Sequence, residues 1–210
     1  MNPPTIDAAV WAVLADYEAR AEREEALWEA LGPEEAERRI DEMLLPVGRA
    51  TGTLLNLLAR EAAARRILEI GSSFGYSTVW LADAARAVRG KVVSLELRRE
   101  KTEYAGAQLA RCGLEAYVEF RVGDALASLA ELPGPFDLVL IDLWKNLYVP
   151  VFELLYPKLA PGALIVADNM IEPASARPHA HAYRQAVHAA RGMSSVLLPV
   201  GNGIEVSRYQ

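Results

Sequence analysis

The chain has 210 residues, 52% of them apolar, enough to bury one sizeable core in a single compact domain with at most a short appendage. Lys and Arg number 22 against 28 Asp and Glu, giving a net charge of −6 and a pI near 5.2. No segment gathers basic residues, which argues against nucleic acid and anionic membrane as main partners. The lone Cys112 cannot close an internal disulfide, and the N-terminus MNPPTIDAAVW lacks a basic lead and is interrupted by Asp7. No apolar run approaches the roughly 18 residues of a membrane span, so the expectation is a cytoplasmic globular protein.

Residues 1–62 carry helical signals only. Pro3, Pro4 and Thr5 predict a helix entry with Thr5 as cap and Asp7 in the first turn, followed by Ile6, Val10, Val13, Leu14 and Tyr17 at helical spacing. Residues 19–25 are mostly charged and read as a solvated face. Pro33 opens a second helix through GPEEAERRIDEMLL that ends before Pro46, and a leucine-rich third covers residues 51–63.

From Arg66 onward short apolar runs alternate with helix-length segments. Strands are predicted at 66–70, 91–97, 118–122, 136–142 and 163–168, each nearly continuous in apolar residues. Strands apolar on both faces and separated by helices indicate a parallel sheet covered on both sides. The runs at 194–200 and 204–209 are separated only by Gly201, Asn202 and Gly203, too short for a crossover helix, so they form an antiparallel hairpin. The fold class is α/β, a doubly wound Rossmann-like sheet, mostly parallel and closed by that hairpin. Residues 63–210 carry it, and residues 1–62 are left as a helical lid or dimerisation segment.

The first strand runs into EIGSSFGYS, residues 69–77. Gly71 and Gly75 allow a sharp turn and close backbone approach, and the helix beyond offers free N–H groups to an anion. The spacing lacks the G-x-G-x-x-G fingerprint, which favours a ligand without a pyrophosphate. Glu96 ends the second strand, where a carboxylate accepts hydrogen bonds from ribose hydroxyls; the bland alternative is a surface charge. Asp124, in VGDAL, either caps a helix or meets an adenine amino group. Asp142 ends the fourth strand and Asp168 with Asn169 the fifth, so all three emerge at the carboxyl edge of the sheet. Two carboxylates and an amide oxygen form a hard-oxygen set suited to Mg²⁺; alternatively, the two acids cap the helices that follow them.

EIGSSFGYS, the strand-end Glu96, FDLVLIDLWKNLY and GALIVADNM together resemble the cation-dependent class I O-methyltransferases, the group with the catechol and caffeoyl-CoA enzymes. The resemblance covers residues 43–170 and the final hairpin, and IDLWKNLY is closer to the catechol type. It implies the class I methyltransferase sheet and S-adenosylmethionine (SAM) as cofactor, contacted by Val47, Gly71, Gly75, Tyr76, Glu96, Asp124, Ala125 and Asp142. Ser77 would bind the methionine carboxylate, Glu69 its amino group directly or through water, and Trp144 would pack on the adenine. Mg²⁺ would be held by Asp142, Asp168 and Asn169. Lys145 would be the general base for the acceptor hydroxyl, since an ammonium beside a cation is driven towards its neutral form. The implied partner is a small, catechol-like aromatic acceptor; a homodimer is the expected assembly, with the N-terminal helices as one candidate interface.

Departures from that pattern make the acceptor side individual. MSSVLLPVG offers no acid where the catechol enzyme uses a glutamate, and Met43, Leu44 and Leu45 stand where it has a tryptophan nearby, so the acceptor pocket is more aliphatic. His179 and His181 share one side of an extended segment but not of a helix; a solvent-facing loop or helix start is the expectation, a second metal or substrate contact the alternative. Two other function classes stand beside the main reading. A nicotinamide-dependent oxidoreductase also needs a glycine turn and a strand-end acid. A non-catalytic SAM-binding module would have no need of the acids and lysine together.

Overall fold

In this computed structural model residues 6–210 are described, so the predicted helix entry at Pro3, Pro4 and Thr5 lies outside the described residues. The apolar runs become β1 (Arg66–Ile70), β2 (Lys91–Glu96), β3 (Val118–Val122), β4 (Phe136–Ile141) and β5 (Leu159–Ala167). Side chains of β1 and β4 are buried on both faces, because helices cover both sides of a parallel sheet. β6 (Met193–Leu198) and β7 (Ile204–Tyr209) form the hairpin, antiparallel to each other, with β7 also antiparallel to β5. One seven-stranded sheet results, in the order β3-β2-β1-β4-β5-β7-β6. Strand order reverses between β1 and β4, which opens a crevice at their carboxyl ends.

Boundaries differ from the sequence reading where a side chain or a neighbour intervenes. β2 stops at Glu96, because Leu97 turns out to solvent. β5 begins at Leu159, four residues early, and its pairing with β4 shifts register between Phe136 and Leu138 to take up the extra length.

Among the helices, α1 (Ala8–Ala30) and α3 (Gly48–Glu61) flank α2 (Pro33–Arg39). The helix α4 (Tyr76–Val88) follows β1, α5 (Arg99–Arg111) follows β2, α6 (Ala125–Glu131) follows β3, α7 (Tyr148–Leu155) follows β4 and α8 (Arg177–Ala189) follows β5. The predicted stripe of Val10, Val13, Leu14 and Tyr17 is buried against Tyr76, Val79 and Trp80 of α4. Asp7 occupies the cap position of α1 rather than its first turn, and it makes no side-chain cap bond. The segment 19–25 is not merely solvated: the Arg20 guanidinium lies 4.1 Å over the Phe74 ring, and Glu24 accepts the Leu44 N–H at 2.6 Å. The first contact ties α1 to the glycine loop ahead of α4, and the second ties it to the loop ahead of α3. The second predicted helix breaks early, passing through a short 3₁₀ turn at Ile40–Glu42 into extended backbone at Met43. No helix among the described residues is long and apolar enough to cross a membrane.

Candidate active site

The loop after β1 sets the geometry. Gly71 has φ +90°, and a Cβ there would run into the backbone carbonyl of Asp142, so the chains leaving β1 and β4 touch. Beneath that contact lies Glu69, fully buried, its carboxylate accepting hydroxyl hydrogen bonds from Ser77, Thr78 and Ser94, each at 2.6 Å. Burial pushes the Glu69 carboxyl up to about 7 even though the three hydroxyls favour its charged form. On the next strand Glu96 accepts the Ser73 N–H at 2.8 Å and the Arg98 N–H at 3.0 Å, which aims its carboxylate across the crevice mouth. Asp124 does cap a helix, accepting the Ala127 N–H at 2.9 Å, and also faces the crevice.

At the switch point stand the groups with chemistry. Lys145 Nζ donates to Asp142 Oδ1 at 3.2 Å and to the Tyr148 hydroxyl at 2.7 Å. Asp168 is 2% exposed, and its Oδ1 has no hydrogen-bond partner. Burial first, and then the neighbouring Asp142 charge, raise its carboxyl to about 7. Neither acid caps a helix: Trp144 and Leu147 hold the cap positions after β4, and Ala176 holds that of α8. Asn169 adopts φ +54°, a left-handed conformation that asparagine tolerates better than most residues. An orphaned, buried carboxylate oxygen beside a second carboxylate and an amide is a site that a hard divalent cation satisfies. Among the described residues no cluster of three His, Cys, Asp or Glu side chains is arranged to hold a metal ion.

These groups line a cavity of about 1000 Å³. Of the predicted residues, Gly71, Glu96, Asp124, Ala125, Asp142, Trp144, Lys145, Asp168 and Asn169 are on its wall. Trp144 is 56% exposed, an unusual degree for an indole. Val47, Glu69, Gly75, Tyr76 and Ser77 lie behind the wall. Val47 packs on the α1–α4 cluster, Gly75 abuts Ala105, the Ser77 hydroxyl turns to Glu69, and the Tyr76 hydroxyl donates to Glu18 at 2.9 Å.

Met43 and Leu45 are on the wall as an aliphatic rim, whereas Leu44 turns inward. His179 and His181 sit in α8, whose pitch sends them apart, and only His179 reaches the cavity. The helix-start expectation for these two histidines holds, with His179 in the first turn of α8 also reaching the wall; Asn202 at the hairpin tip and Lys101 are wall residues that the sequence reading did not single out. The proline-containing ARPHAH segment reading as a helix start was the available signal for His179.

The reversal of strand order at a crevice, the acid ending β2 and the terminal antiparallel hairpin define a class I methyltransferase. Comparison with known proteins agrees. Residues 68–170 match a family model described as a methyltransferase domain. Catechol O-methyltransferase of Mycobacterium tuberculosis is 39% identical over 171 residues, 81% of this chain and 73% of that protein. Caffeoyl-CoA O-methyltransferase 2 of Populus trichocarpa is 30% identical over 178 residues, 75% of this chain and 72% of that protein. The solved O-methyltransferase from Bacillus cereus, in complex with SAH, aligns with a TM-score of 0.75 at 27% identity, covering 99% of this chain and 93% of that one. The chain belongs to the class I SAM-dependent O-methyltransferases, the family that includes the catechol and caffeoyl-CoA enzymes. That membership sets aside the nicotinamide oxidoreductase.

Proposed function

We propose that this O-methyltransferase acts on one hydroxyl of a small, catechol-like aromatic diol, with a divalent cation and Lys145 assisting. The observation that carries the reading is the unpartnered, buried Asp168 oxygen beside Asp142 and Lys145 at the strand switch point. Asp142, Asp168 and Asn169 would hold the cation, which when bound lowers the pKa of hydroxyls it contacts. Lys145, fixed by Asp142 and Tyr148, takes the proton of the attacking hydroxyl. The new bond joins that oxygen to the methyl carbon, the sulfur–carbon bond breaks, and SAH leaves as the neutral thioether.

On the cofactor side Glu96 faces the ribose, Trp144 the adenine, and Asp124 with Ala125 the base edge. Glu69 and Ser77 act from one layer beneath the wall, setting the polarity under the methionine end. Much of the rate is positional, since two reactants are held in one crevice. We also read the described part of the N-terminal segment, residues 6–62, as a lid, because the segment Ile40–Leu45 supplies part of the cavity rim and α1 is tied to it through Glu24.

The test is a methyl-transfer assay with SAM and a panel of phenols, with and without Mg²⁺, read by product mass. Transfer to one hydroxyl of a vicinal diol is expected, falling at least about 100-fold with chelator or with Asp142→Ala. Full activity under both conditions would remove the cation from the reading. Transfer to nitrogen or carbon would remove the acceptor.

A further inference from the structure

Tyr148 is the first residue of α7, is fully buried and does not line the cavity. Its hydroxyl nevertheless meets three parts of the site. Lys145 Nζ donates to the phenol oxygen at 2.7 Å, and the single phenol hydrogen lies between the carbonyls of Ile141 and Asp168, each at 3.0 Å. Ile141 is the last residue of β4 and immediately precedes Asp142; Asp168 follows the last residue of β5. One oxygen therefore ties the proposed base to the backbone at both strand ends that carry carboxylates.

The chemistry of a phenol suits that place. A carboxylate such as Asp142 holds an ammonium strongly and an amine weakly, so by itself it would release Lys145 once the lysine had given up its proton. A neutral phenol oxygen accepts from NH₃⁺ and NH₂ alike, and keeps its own hydrogen for the carbonyls. Burial, together with the Asp142 and Asp168 charges, holds the Tyr148 phenol well above the ordinary tyrosine range, so it remains protonated.

We propose that the Tyr148 hydroxyl is the positioning group that holds Lys145 in register with the ends of β4 and β5. The proposal rests on the reading of Lys145 as the base. The test compares Tyr148→Phe with Tyr183→Phe. Tyr183 is a second fully buried tyrosine, edge-on to Tyr148 at 5.6 Å, whose hydroxyl touches neither Lys145 nor the cavity. In both variants the ring stays, so the packing of the core is kept. Tyr148→Phe is expected to lower kcat about 10–100-fold while KM for SAM and the calorimetric affinity for SAH stay within about twofold. Tyr183→Phe is expected to leave kcat within about twofold.

A double-mutant cycle separates positioning from a general structural role. Added to Lys145→Ala, Tyr148→Phe should change the residual rate by less than about twofold. An unchanged kcat in Tyr148→Phe would overturn the proposal, as would a full additive loss on the Lys145→Ala background or a parallel loss of SAH affinity. Full kcat in Lys145→Ala itself would instead overturn the reading of the base, and the positioning role with it.

Discussion

Trp144 and Gly71 sit on the same cavity wall for opposite physical reasons. The Trp144 indole is more than half exposed and makes little of the core, so its removal separates ligand binding from folding. Trp144→Ala is expected to leave stability within about 0.5 kcal/mol and to weaken SAH binding about 10-fold by calorimetry. Gly71 has no side chain to lose, but any added Cβ collides with the Asp142 carbonyl at a positive φ. Gly71→Ala should therefore cost about 1–3 kcal/mol in denaturant unfolding and abolish measurable SAH binding, since relief of the clash moves the segment bearing Asp142. Both residues were legible as candidates in the sequence, the glycine from its place after a strand and the tryptophan through the resemblance. Glu69 and Ser77 were singled out in the sequence through the resemblance, yet the hydroxyls that surround Glu69 come from α4 and β2, and no spacing in the sequence announces that they converge.

At the scale of elements, α1 packs its apolar stripe on α4, the helix that leaves the glycine loop, so the N-terminal segment is built onto the site's own scaffold. Leu14 is fully buried in that seam. Leu14→Ala should cost about 2–5 kcal/mol, read as a lower denaturant midpoint at unchanged m-value. The strands were read nearly in full, because a central parallel strand must be apolar on both faces and the hairpin link is too short for anything else. The N-terminal helices were read less well. Pro33 marks the start of α2, but nothing local marks its end at Arg39, which depends on the chain turning to bring Leu44 to Glu24. His179 and His181 of α8 show the same limit: helical pitch, once the helix is known, decides that only His179 of the pair faces the cavity.

For the whole molecule, the buried carboxyl of Glu69 makes stability depend on pH. Unfolded, it ionises near the ordinary glutamate value of 4.5; folded, it holds its proton to about 7. Between those values the folded state binds the extra proton, so stability falls as pH rises from about 4.5 to 7 and the full penalty is present above 7. Asp168 adds a fall of the same sign up to about 7. Glu69→Gln should flatten the stability–pH curve across that window by up to about 1.4 kcal/mol per pH unit, measured by denaturant unfolding at several pH values. Ligand linkage gives a second check on the fold and site together. SAH at 100 times its Kd should stabilise the protein by about 2.7 kcal/mol and raise Tm, whereas NADH should not.

The sequence by itself determined the alternation of strands and helices, the glycine turn, the closing hairpin and the family, because each rests on local spacing or on short motifs. It also supplied the acids at the strand ends, since parallel strands deliver their last residues to one edge. Only the tertiary structure decided which of those residues face the cavity, that Asp168 keeps an oxygen without a partner, and that one buried tyrosine oxygen joins Lys145 to both strand ends. Burial and hydrogen-bond convergence are properties of atoms brought together from distant parts of the chain. The acids account for the site only once the net charge of −6 is resolved into the few that fold to one edge of the sheet.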